Sequence, residues 1–256
     1  MTIPEGLGLG ALQGLTEFLP VSSSGHSVLA RALFRIEEAP VTMEVLLHAA
    51  SAVAILVFFR REIVSLLTTR RRLVLPLVVG TLPAVVIGLL FKDRLEGLFQ
   101  NPTAVGIGLL FTGTVLWVSE GLASDSRSLD GVSVADGFWV GVAQAIALVP
   151  GVSRSGMTVG AGLASGLERG AAVAFAFLLG LIAIAGATAL KLRKIVDLGS
   201  AGLGPLAAGF CASLVVSLAA LSLLTLLVRR KRLWWFTIYC YLVGASVLLA
   251  KLAGVW

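Results

Sequence analysis

The chain has 256 residues, 57% of them hydrophobic and 13% charged, with a formal net charge of +6 and a mean hydropathy of +0.98. Soluble domains run about 45–50% apolar and about 25% charged, so this composition excludes a soluble enzyme, a disordered tail and a nucleic-acid-binding domain. It points to an all-α polytopic membrane protein, and the basic excess reads as an orientation signal and an attraction to anionic headgroups.

The N-terminal MTIPEG carries no basic run, so the first apolar segment is expected to stay in the mature chain. Residues 5–35 are apolar but broken by Pro20, Ser22, Ser23, Ser24, Gly25 and His26. Residues 41–59 follow as a first span, carrying Glu44 and His48 four apart on one helix face. That pair reads either as an internal Glu–His hydrogen bond or as an extension of a polar site. Loop 60–72 holds Arg60, Arg61 and Arg70 to Arg72. Spans are predicted over 73–91 and 102–119. Residues 136–167 are again apolar and broken, here by Pro150, Gly151, Ser153, Arg154, Ser155 and Gly156. Spans over 171–190, 203–228 and 234–253 complete six, the last opened by Trp234 and Trp235 as interface anchors. Cys211 and Cys240 lie in apolar runs without metal spacing and read as small buried hydrophobes.

Each half of the two broken regions has about 11–16 residues, too few to cross at 1.5 Å per residue. Both are therefore predicted to be re-entrant helix–loop–helix hairpins, since irregular backbone at membrane depth survives only inside protein or along a watery cavity. The two regions also align at a constant offset without gaps. Gly10 meets Gly141, Gln13 meets Gln144, Val21-Ser22 meets Val152-Ser153, and Ser24-Gly25 meets Ser155-Gly156. The chain thus reads as one membrane domain with internal repeats of about 1–122 and 133–256. Each holds a hairpin and three spans, and three is odd, so the second half is expected to be inverted. Paired interrupted segments of this kind point to a midplane site. Placing loop 60–72 and the run Arg229 to Arg232 in the cytoplasm, with Arg127 and Arg169, gives a modest positive-inside bias. The first hairpin then enters from outside and the second from the cytoplasm.

Two stretches carry the chemistry. The first, QGLTEFLPVSSSGH, puts Gln13 and Glu17 on one helix face, then three serines, Gly25 and His26. Glu and His at membrane depth are expensive and functional by default. The second, PGVSRSGMT over 150–158, frees the backbone at Pro150 and Gly151 and sets Arg154 among Ser153, Ser155 and Thr158 at the mouth of a half-helix. Exposed N–H groups, a helix N-terminus and a guanidinium make an anion site, and the planar guanidinium suits phosphate. Glu17 would repel such an anion unless a divalent cation lay between them, and oxygen ligands suit Mg²⁺ or Ca²⁺. His26 can transfer protons near neutral pH, and a serine of 22–24 can serve as nucleophile. The residue types point to metal-assisted phosphoryl chemistry at the membrane. A transporter or flippase using the same anion clamp is the alternative, with less use for Glu17, Ser23 and His26 beside it.

Together these stretches resemble the undecaprenyl pyrophosphate phosphatase family of the bacitracin-resistance type, which carries an (E/Q)xxxE motif, a serine-rich stretch ending in His, and PGxSRSxxT. The resemblance covers the whole chain in length and apolar pattern. It implies hydrolysis of undecaprenyl pyrophosphate to undecaprenyl phosphate, recycling the lipid carrier for peptidoglycan synthesis, with bacitracin competing for the substrate. It implies a bacterial plasma-membrane enzyme whose active site faces the outer side and needs Mg²⁺ or Ca²⁺. Glu17 then looks like the metal-binding or acid/base carboxylate supported by Gln13, and His26 with Ser23 like the catalytic pair. Arg154 with Gly151, Ser153, Ser155 and Thr158 looks like the pyrophosphate clamp. Ser22 and Ser24 are the alternative nucleophiles, and a water activated by His26 is a further one. The glycine-rich helices can pack within or between chains, which leaves room for a homodimer.

Overall fold

The computed structural model describes residues 1–34, 40–192 and 202–254. Backbone polar groups in hydrocarbon must be satisfied within the segment, and the described residues are helical almost throughout. In chain order the helices are α1 (Ile3–Phe18), α2 (Ser23–Phe34), α3 (Val41–Phe58), α4 (Arg60–Leu67), α5 (Val74–Leu90), α6 (Lys92–Leu98), α7 (Pro102–Leu122), α8 (Val134–Ile146), α9 (Arg154–Ala164), α10 (Arg169–Leu192), α11 (Leu203–Arg229) and α12 (Trp234–Leu252). Six of them, α3, α5, α7, α10, α11 and α12, are long and apolar enough to cross a membrane. The chain is a multi-pass membrane protein.

The other long elements come in two broken pairs. α1 and α2 have 16 and 12 residues, α8 and α9 have 13 and 11. Pro20 ends the first helix of one pair, and Pro150 with Gly151 separates the helices of the other. Each pair opens with a capping box, Thr2 with Glu5 and Ser133 with Asp136. In each box the hydroxyl and the carboxylate satisfy each other's backbone N–H groups. α1 packs along α11 and α8 along α5. A Cβ added at Gly6 or Gly10 would lie 2.3 or 2.2 Å from the carbonyl oxygens of Pro205 and Gly209. The same atom at Gly137 or Gly141 would lie 2.3 or 2.2 Å from those of Pro76 and Gly80. Glycine is required at these close approaches because any side chain would strike backbone. α7 pairs with α12, and α3 with α10, so the halves interlock element by element.

The apolar core runs between α3 and α10, where Phe18, Ile55, Phe59, Phe175, Phe177 and Leu179 are buried together. Half of the α10 span is inside the protein, against 22% of the α5 span. α10 is thus the central helix and α5 a peripheral one.

Two expectations are corrected here. Loop 60–72 contains the helix α4, whose Arg60 and Arg61 are exposed at its start, and α6 similarly follows α5. Cys240 is buried, but Cys211 is exposed on the outer face of α11. Arg127 and Arg169, which enter the positive-inside count, both have acidic partners. Nη1 and Nη2 of Arg127 each donate to the Asp136 carboxylate at 2.8 Å. Arg169 is buried, with Nη1 2.7 Å from Glu120 and Nε 3.2 Å from Asp125. Arg70 pairs with Asp130 at 2.7 and 3.2 Å. These pairs pin residues 123–133, which join the two halves.

Candidate active site

The two breaks meet. A Cβ on Gly25 would lie 3.0 Å from Cα of Gly151, and one on Gly156 3.2 Å from the Pro20 ring. The Ser155 hydroxyl donates to the carbonyl oxygen of Leu19 at 3.3 Å, which ties the second break to the end of α1. Gly151 has φ +89°, open to glycine at little cost. Ser22 has φ +69° without being glycine, a strained conformation held by its contacts. Its hydroxyl accepts from the Gly25 N–H at 3.2 Å and caps α2, and Ser24 Oγ lies 3.3 Å away.

Glu17 sits at the junction, on the last turn of α1, buried at 7% exposure. One carboxylate oxygen accepts from Arg154, the first residue of α9. The other accepts from the hydroxyl of Ser23, the first residue of α2, at 2.7 Å, and from the Gln13 amide at 3.1 Å. The carboxylate therefore bridges the N-termini of two helices, where dipoles and unpaired N–H groups favour negative charge. Glu17 and Arg154 also line a small cavity of about 10 Å³, water-sized, with Ser155, Thr158, Ile55 and Phe177.

The second break is built to hold Arg154 in place. Ser153 caps α9 by accepting from the Gly156 N–H at 3.2 Å, and its Oγ lies 3.1 Å from that of Ser155. Thr158 donates to the carbonyl oxygen of Arg154 at 2.8 Å. Ser153, Ser155 and Thr158 are all buried, and their hydroxyls are engaged within the break, so they shape its backbone around the guanidinium. Thr112 of α7 completes the seat, accepting from the Ser153 N–H at 3.0 Å and donating to the carbonyl oxygen of Gly151 at 3.2 Å.

The sequence places Ser23 and His26 as a pair; the structure bonds them to different partners. Ser23 donates to Glu17. Nδ1 of His26 lies 2.9 Å from the carbonyl oxygen of Ser22, and its Nε2 lies 2.6 Å from the Tyr239 hydroxyl. Glu44 and His48 do not join side chain to side chain. His48 Nδ1 meets the backbone oxygen of Glu44 at 2.8 Å, while the Glu44 carboxylate takes Lys191 Nζ at 2.6 Å. Gln144, the counterpart of Gln13, is buried with no partner for its amide among the described residues. Thr112 and Tyr239 were missed from sequence. Each is a single polar residue in a full-length apolar span, with no motif around it.

The oxygen donors at the junction, from Glu17, Gln13 and Ser23, are the hard type that Mg²⁺ and Ca²⁺ prefer. No cluster of three His, Cys, Asp or Glu side chains occurs among the described residues. A cation here would fit only with substrate oxygens and water completing its shell.

A family model described as bacitracin resistance protein BacA matches residues 6–246. The chain is 38% identical over 255 residues to the undecaprenyl-diphosphatase of Carboxydothermus hydrogenoformans, covering 98% of each protein. It is 40% identical over 247 residues to the undecaprenyl-diphosphatase of Rhodopirellula baltica, covering 95% of this chain and 96% of that one. With the undecaprenyl-diphosphatase of Moorella thermoacetica it shares 36% over 255 residues, covering 96% and 97%.

Proposed function

The chain belongs to the BacA bacitracin-resistance family, and on that footing we propose that it is an undecaprenyl-diphosphatase. It hydrolyses undecaprenyl pyrophosphate to undecaprenyl phosphate and inorganic phosphate. The carrier reading is the less favoured one. The observation that supports the chemistry best is the Glu17 carboxylate held by Arg154 and Ser23 at two helix N-termini.

The residue roles are our own reading. The substrate pyrophosphate displaces Glu17 from Arg154 and takes the guanidinium in its place, since a planar fork can bond two phosphate oxygens at once. Glu17, released on that side, accepts the Ser23 proton through the oxygen it already shares with that hydroxyl. Ser23 attacks the terminal phosphorus, the P–O bond to undecaprenyl phosphate breaks, and water then frees the phosphoryl group from the serine. His26 moves protons through Nε2. Gly151, Ser153, Ser155 and Thr158 hold the clamp. Ser22 caps the helix that presents Ser23, and Ser24 supports that cap. Glu17, with the Gln13 carboxamide oxygen, would hold Mg²⁺ or Ca²⁺. Such an ion supplies charge neutralisation between Glu17 and the pyrophosphate.

We further read the two broken pairs as re-entrant hairpins of an inverted repeat, 1–122 and 133–256. The matched caps and matched glycine contacts support this. The site would open to the outer side of a bacterial plasma membrane, with bacitracin competing for the lipid. Assembly as a homodimer is part of the same reading. An enzyme at membrane depth lets the prenyl tail stay in the bilayer.

The test is phosphate release from undecaprenyl pyrophosphate by detergent-purified protein, with Mg²⁺ or Ca²⁺ and with EDTA. Metal-dependent release that is lost in Glu17→Ala and Arg154→Ala is expected. Well-folded protein that releases none would turn the site into a binding site without chemistry.

A further inference from the structure

Tyr239 lies in neither motif, yet its hydroxyl sits 2.6 Å from Nε2 of a residue 213 positions away. The phenol and the His26 ring run nearly parallel, 14° apart with centroids at 5.8 Å. The partners of His26 decide its tautomer. Nδ1 lies 2.9 Å from the carbonyl oxygen of Ser22, and a carbonyl can only accept, so Nδ1 carries the proton. In the neutral ring Nε2 is then the bare nitrogen, and the Tyr239 O–H donates to it.

The next residue of α12 grips the same break. The Cys240 thiol donates to the carbonyl oxygen of Pro20 at 3.5 Å. α12 thus touches the chain both within the first break and just beyond it. Only the Tyr239 contact reaches a group that can exchange protons. That contact also stands at an open edge, since Tyr239 is 40% exposed while Cys240 is fully buried.

We propose that Tyr239 is a positioning residue for His26: its hydroxyl holds the imidazole in one orientation with Nε2 as the single nitrogen open to proton exchange. This deepens, and rests on, the reading of His26 as a proton-transfer group. The Ser22 carbonyl anchors the ring of His26 at Nδ1. The phenol supplies the second anchor, at the nitrogen that reacts. Removing it lowers the fraction of enzyme in the productive arrangement and leaves the Arg154 clamp, which binds the substrate, untouched.

Tyr239→Phe keeps the ring packing and deletes the donor alone. The chain has two histidines, so ¹⁵N-histidine-labelled protein in detergent gives two ring systems, assigned with a His48→Gln sample. In Tyr239→Phe the His26 Nε2 resonance is expected to move toward the position of an unbonded imine nitrogen. The kcat for phosphate release is expected to fall about tenfold with KM changed less than about twofold. Cys240→Ala, which removes the neighbouring grip on Pro20, is expected to keep kcat within about twofold. A Tyr239→Phe enzyme with wild-type kcat overturns the proposal. So does a Cys240→Ala loss as large as that of Tyr239→Phe, because the contact would then be a structural grip. Should the wild-type protein release no phosphate, the hydrolase reading fails by itself. An unmoved Nε2 resonance would then overturn the Tyr239 assignment, and a moved one would uphold it.

Discussion

Glu17 accepts from three side chains that come from three helices, and each bond places a different demand on it. Arg154 neutralises its charge, Ser23 offers it a proton, and Gln13 fixes its rotamer. Ser23→Ala removes the hydroxyl that donates to Glu17 and is expected to lower kcat on the order of 10³-fold while substrate affinity stays near wild type. Retained turnover would instead favour an attacking water. Gln13→Glu sets a second carboxylate beside the first, where the amide lies at 3.1 Å. Two like charges at that distance repel unless a cation joins them. The Mg²⁺ or Ca²⁺ concentration for half-maximal activity is therefore expected to fall by on the order of tenfold. An unchanged metal titration would remove Gln13 from the cation's surroundings. The identities of these residues were legible in the sequence. Their pairing was not, because Ser23 is three residues from His26 and six from Glu17, and chain distance favoured the wrong neighbour. The break at Pro20 folds α2 back so that Ser23 reaches the end of α1.

Two helix pairs, α1 with α11 and α8 with α5, are joined by close backbone contact. Gly10 on α1 and Gly141 on α8 each sit on a carbonyl oxygen of the partner helix. Gly141→Leu forces α8 away from α5, and with it the second break that carries Arg154. A loss of about 1–3 kcal/mol is expected, read as a lower unfolding midpoint in detergent. Gly8→Leu, at a position whose added Cβ meets nothing within 4 Å, is the control and is expected to be neutral. The six spans were readable to within a few residues at each end because about 18 apolar residues in a row leave little else to predict. α4 and α6 were not readable. They are short amphipathic helices next to spans, and their charged residues resemble a loop.

At the scale of the whole molecule, ion pairs help to fix the junction at residues 123–133, beside the packing of Leu129 into the core. Burial alone would push the Asp136 carboxyl up. The Arg127 guanidinium and the Ser133 donors outweigh it and hold the carboxyl below the ordinary range. A carboxyl lowered on folding stabilises the protein above the pKa of the unfolded chain, about 4, and that contribution is lost as pH falls further. Asp136→Asn is expected to cost about 1–3 kcal/mol at pH 7 and progressively less below pH of about 4, checked by unfolding midpoints across that range. A pH-independent difference would mean that the Arg127 pair does not hold the junction. The positive-inside count includes Arg127 and Arg169 as basic residues. Their acidic partners are at residues 120, 125 and 136, near in space but invisible to a count of basic residues.

Composition by itself determined that the protein lives in a membrane and crosses it with helices, because hydrocarbon leaves unpaired backbone no other solution. Two local motifs, each needing only residues close along the chain, pointed to the type of chemistry and to the candidate residues for it. Tertiary structure alone decided which of those residues touch. Glu17 meets Arg154 across 137 positions, and His26 meets Tyr239 across 213, with no local pattern to announce either. The physical reason is that hydrophobicity and backbone breaks are properties of short segments. A hydrogen bond between side chains on different helices depends instead on how those helices pack, and here that is set by the glycines that let α1 and α8 come so close to their partners.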